Sequence, residues 1–109
     1  MTNMKSLHNS DVDALFEAIL SLDSVEECYR FFEDLCTVKE ISDISQRLRA
    51  ARMLAAGENY ADICRTTGMS TATISRVNKC LEYGDGGYRT VIERLGALPP
   101  TDSNATDAE

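Results

Sequence analysis

From Ser10 the apolar residues Val12, Leu15, Phe16, Ile19 and Leu20 recur at steps of three and four, the spacing of one helix face. A helix running to about Leu22 is predicted, with Asp11 and Asp13 in the first turn, where the helix dipole favours anions. Ser24 followed by Glu27 has the form of a capping box, the hydroxyl accepting from an orphan amide and the carboxylate reaching back to the cap amide. Val25, Cys28, Phe31, Phe32 and Leu35 then make a second apolar stripe. Thr37 and Glu40 repeat the device ahead of a longer helix carrying Ile41, Ile44, Leu48, Ala51 and Leu54, which Gly57 stops. A short helix over 60–67, another from Ser70 or Thr71 to about Tyr83, and a last one from Tyr88 through Leu95 follow, the last two separated by Gly84, Gly86 and Gly87. Alternating polarity never persists long enough for a strand. About six helices, and so an all-α fold, are predicted.

The 109 residues suffice for one compact domain, placed at 10–96 between a flexible start (1–9) and an acidic tail (97–109) that has almost nothing to bury and is expected to be disordered. The only prolines are Pro99 and Pro100, so nothing earlier forbids helix. Six short helices bury little surface alone, and homodimerisation is the expected remedy, with the first two helices shared between subunits. No run approaches the ~18 apolar residues of a membrane span, and MTNMKSLHNS lacks a signal-peptide core, so a cytoplasmic protein without a membrane partner is expected.

The formal net charge of -7 argues at first against nucleic acid, but the charge is segregated. Residues 1–43 set Lys5, Arg30 and Lys39 against ten carboxylates. Residues 44–80 reverse the balance, with Arg47, Arg49, Arg52, Arg65, Arg76 and Lys79 against Glu58 and Asp62 alone. Residues 81–109 are acidic again. An anion-binding surface, if built, belongs in the middle block.

Catalysis finds little support. The cysteines at 28, 36, 64 and 80 are too far apart for a CxxC pair, and the single histidine, His8, stands in the expected mobile start. The cysteines read as small reduced core residues. Nucleophile–base pairs, phosphate-binding glycine loops and metal clusters are absent from the sequence, so no enzyme, metal or cofactor is expected.

The segment ENYADICRTTGMSTATISRVNKCLEYG, about 59–83, has the spacing of a helix-turn-helix. Gly68 is the turn glycine, Cys64 the small residue where the helices cross, and Met69, Ile74 and Val77 point inward beside Ile63. Thr71, Ala72, Thr73, Ser75, Arg76 and Lys79 are read as the outward set, with Ser70 as cap and phosphate ligand and Arg65 as a further cation. Small side chains allow close approach to a major groove, hydroxyls bond to base edges or phosphates, and Ala and Thr pack on thymine methyls. The competing reading is one more helical corner with solvated hydroxyls, in a module whose acidic helices engage another protein.

The run GMSTATISRVNKCL resembles the turn and recognition helix of the Trp-repressor-like superfamily, and SQRLRAARMLAAGENY resembles the helix preceding them. Together with STATISRVNKCLEYG and GGY, these runs are most similar to the YerC/YecD branch. The resemblance implies an intertwined helical homodimer with two reading heads roughly 34–36 Å apart on double-stranded DNA, acting as a transcriptional regulator of the repressor kind. It also implies an effector pocket in which Arg47 and Arg76 are the family's arginines and Thr37 its threonine. Val77 stands where the family has a glycine and Cys80 where it has a serine, so an effector other than tryptophan is expected. The residues themselves leave Arg47 and Arg76 open to pairing with Asp34, Glu40, Asp43 or Glu82, or to facing phosphates. Ala61 and Asp62 lie where the repressor presents a base-reading cation, and base preference should differ accordingly.

Overall fold

The structure is a computed structural model that describes residues 8–97. Apart from residues 8, 9 and 97, the expected flexible start and acidic tail lie outside the described residues. The described residues form six helices and no strand: α1 (Ser10–Leu20), α2 (Val25–Leu35), α3 (Val38–Ala55), α4 (Tyr60–Thr67), α5 (Thr71–Tyr83) and α6 (Gly87–Leu95). Contacts divide the chain into two units, 1–41 and 42–109, with the division falling within α3.

In the first unit the caps decide the helix bounds. Asn9 Oδ1 accepts from the Val12 amide at 2.9 Å and starts α1. The helix stops at Leu20, two residues before the expected end, because Ser21 turns its hydroxyl onto the Ala18 carbonyl at 2.6 Å, competing with helix continuation. Ser24 caps α2 by accepting from Glu27 N–H at 3.1 Å. The Glu27 carboxylate reaches one residue further back than a standard box and takes the Asp23 amide at 2.8 Å. Thr37 and Glu40 form the full reciprocal box, at 2.9 and 3.1 Å. Neither α1 nor α2 contains a buried residue. Leu20 is 82% exposed, Val25 73% and Val38 83%.

The second unit holds the core. Ala50, Ala51, Met53, Ile63, Ile74 and Val77 form a buried cluster, with Leu54, Tyr60, Cys64, Met69, Tyr88 and Ile92 packed against it. Ala50 and Ala51 are fully buried on α3, while Ile63 and Ile74, also fully buried, supply bulk from the two shorter helices. Gly86, at φ +89°, turns the chain into α6, which begins at Gly87, one residue earlier than expected. Arg52 Nε donates to the Gly96 carbonyl at 3.2 Å and ties the end of α3 to the end of α6.

Candidate nucleic-acid interface

The corner between α4 and α5 is built from local chemistry. Asn59 Oδ1 accepts from the Asp62 amide at 2.8 Å and opens α4. Thr67 closes it: its hydroxyl donates to the Ile63 carbonyl at 2.7 Å and accepts from the Met69 amide at 3.1 Å. Gly68 sits at φ +78°, a left-handed conformation that an L side chain resists, and donates its N–H to the Cys64 carbonyl. Ser70 then caps α5 by accepting from Thr73 N–H at 3.2 Å. Both helices occupy the intervals read from the sequence.

Helical geometry sorts the residues of α5. Ile74, Val77 and Leu81, spaced three and four apart, are buried. Ala72, Ser75, Arg76 and Lys79 have the same spacing on the opposite face, and all four are exposed. Arg76 and Lys79 make no ion pair among the described residues. This face combines a methyl, a hydroxyl and two cations with no carboxylate among them.

The remaining expected contact residues are differently placed. Thr71 is exposed, with its hydroxyl 3.6 Å from Cys64 Sγ at the helix crossing. Thr73 is half-buried and its hydroxyl lies 3.0 Å from Ser70 Oγ, so both take part in the cap. Arg65 is exposed but paired, its NH2 lying 3.1 Å from Asp62 Oδ1. Glu82, one partner considered for the arginines, pairs with Arg89 at 3.5 Å, and Glu40 is committed to the Thr37 cap.

A cleft of about 410 Å³ opens between the first half of the second unit's α3 segment and the helical corner, lined by Ser42, Asp43, Gln46, Arg47, Thr67, Gly68, Met69 and Thr73. Gln46 Oε1 is buried without a hydrogen-bond partner on this wall. Of the residues expected to form an effector pocket, Arg47 lines the cleft. Val77 lies in the core at 3% exposure, and Cys80 is exposed, not a core cysteine. Thr37 belongs to the first unit, where it caps α3. Tyr88 was not singled out in sequence, yet it packs on the core and its hydroxyl feels Cys80, Arg47 and Arg76. Burial first, then Cys80, pushes its pKa up, while the two arginines oppose the rise.

The whole described helical chain, from α1 through α6, matches the Trp repressor protein family over residues 10–96. The chain belongs to this family. It is 53% identical over 89 residues to the uncharacterized protein YerC of Bacillus subtilis (strain 168), a match covering 82% of this chain and 86% of the relative. Its structure is similar to that of a TrpR-like protein from Eubacterium eligens ATCC 27750, with a TM-score of 0.84 and 53% identity over 87% of this chain and 98% of the other. A candidate Trp repressor from Staphylococcus aureus matches with a TM-score of 0.83 and 45% identity, covering 89% of this chain and 97% of the other. These likenesses extend the resemblance of the helical corner to the whole all-α architecture. Among the described residues, no helix is long and apolar enough to cross a membrane, and no group of side chains is arranged to hold a metal.

Proposed function

We propose that this Trp repressor family member is a sequence-specific DNA-binding transcriptional regulator, acting as a repressor and as a homodimer, with α5 entering the major groove. The observation that carries the reading is the exposed face of Ala72, Ser75, Arg76 and Lys79, set opposite the buried face of the same helix. Ser75 supplies a donor and acceptor for base edges, Ala72 a methyl surface, and Arg76 and Lys79 the charge for phosphates. Thr71 flanks this face, while Ser70 and Thr73 act through the cap that orients the helix. The exposed apolar side chains of α1 and α2 are the surface that a second copy would cover.

In this reading the effector, if one acts, is a small molecule other than tryptophan. Support comes from Val77, whose isopropyl group is already committed to the core. Arg47 on the cleft wall, with the unpartnered Gln46 oxygen nearby, offers a cation and an acceptor to such a molecule.

The test is selection from a random duplex pool with the purified protein, followed by anisotropy titrations of an enriched site between roughly 50 and 200 mM salt. Enrichment of a near-palindromic site, with affinity falling steeply as salt rises, is expected. Failure to enrich any sequence, together with salt-independent or undetectable duplex binding, refutes the proposal and leaves a protein-interaction module as the reading.

A further inference from the structure

The basic stretch 44–80 contains two carboxylates, Glu58 and Asp62, and one of them touches Arg65, a cation read from the sequence as a DNA contact. Arg65 NH1 and NH2 lie 3.2 and 3.1 Å from the same oxygen, Asp62 Oδ1. Both side chains are well exposed, at 69% and 43%. The two residues are one turn apart on α4, and Asp62 is held there by the Asn59 cap on its own amide. The guanidinium is therefore parked on the helix that leads into α5, and its whole fork rests on a single oxygen.

That geometry makes the hold easy to exchange. A planar guanidinium binds best when two N–H groups meet two oxygens, which a phosphate group offers and this pairing does not use. Water also screens an exposed pair of this kind, so its strength is small. A nearby phosphate would win the arginine, but only after Asp62 is left without its partner beside a polyanion. The carboxylate thus taxes each encounter with nucleic acid, whatever its sequence.

From this geometry we infer that Asp62 is an intramolecular brake on DNA binding, a phosphate mimic that occupies Arg65 in the free protein and gives it up to the duplex backbone. The inference rests on the DNA-binding reading above and adds a residue that sets the background affinity. Its chemical consequence is selective: binding held together mainly by phosphate contacts loses a larger share of its energy than binding that also reads bases.

The experiment measures affinity for a labelled random-sequence duplex as a function of salt, for wild type, Asp62→Asn, Arg65→Ala and the double variant. Asp62→Asn is expected to bind about two- to fivefold more tightly, the range corresponding to an exposed ion pair. Its salt slope should stay close to that of wild type, because Arg65 reaches a backbone phosphate in both complexes. With Arg65 already removed, Asp62→Asn should recover less than half of that gain. Glu58→Gln is the control for general charge: whatever gain it gives should be the same with and without Arg65. Circular dichroism checks that α4 is intact, and Asp62→Ser repeats the measurement if the amide disturbs the first turn. Equal gains for Asp62→Asn in both backgrounds, or no gain at all, overturn the brake while leaving the DNA-binding reading standing. A wild-type protein that binds neither random nor selected duplex at any salt overturns both.

Discussion

Ser75→Ala and Lys79→Ala remove neighbours on one face of α5, and the structure predicts different losses from them. Ser75 is exposed and makes no hydrogen bond among the described residues, so removing its hydroxyl should leave stability within about 0.5 kcal/mol of wild type. If that hydroxyl reads a base edge, its loss costs about 1 kcal/mol at the contacted base pair, roughly fivefold, and little elsewhere. Lys79 projects a point charge from the same face without an ion-pair partner. Its removal should weaken binding to every sequence alike and reduce the magnitude of the salt slope by about 0.9. Anisotropy titrations of a selected site and its single-base variants, repeated at several salt concentrations, separate the two signatures. Thr73→Ala would be a poorer probe, because its hydroxyl meets the Ser70 cap and any loss would mix helix stability with recognition. Uniform weakening by Ser75→Ala, or a changed base preference with Lys79→Ala, would refute the assignment of this face.

Three further outcomes follow from the geometry. Gly68→Ala should destabilise the protein by about 1–2 kcal/mol in thermal melts, from the left-handed backbone alone, because an added Cβ would meet nothing within 4 Å. An unchanged melting temperature would mean that the turn relaxes. Leu20→Lys places a charge on a side chain that is 82% exposed in the single chain, and it should shift sedimentation equilibrium toward monomer if α1 lies in the dimer interface. The Tyr88 hydroxyl, raised above 10.0 by burial and Cys80 against the pull of Arg47 and Arg76, favours its neutral form in the folded state. The unfolded chain ionises first, so this stabilisation is intact below pH 10 and is lost as pH climbs through the folded value. Tyr88→Phe should flatten that part of the alkaline decline in urea unfolding, and an unaltered decline would show that other groups cause it.

The contrast between Gly68 and Tyr88 shows what a linear reading can reach. Asn59, Gly68 and Ser70 act on backbone groups within four residues of themselves, so their effects are written in local spacing, and the bounds of α4 and α5 were legible from it. Tyr88 owes its position to the packing of α6 against the core, which connects it to Arg47 across forty residues of chain. No local pattern marks that encounter. Thr73 and Arg65 are intermediate cases. An outward set of nearly consecutive residues from Thr71 to Lys79 cannot share one helix face, because each step rotates the chain by about 100°. The same rotation leaves Thr73 beside the cleft and groups Ala72 with Ser75, Arg76 and Lys79. The Asp62–Arg65 pair has helical i,i+3 spacing and is legible in the sequence, but a charge balance over 44–80 counts both groups without joining them. Charge totals identify the stretch of chain that attracts an anion; angular position and nearest neighbours determine which of its cations are free to meet one.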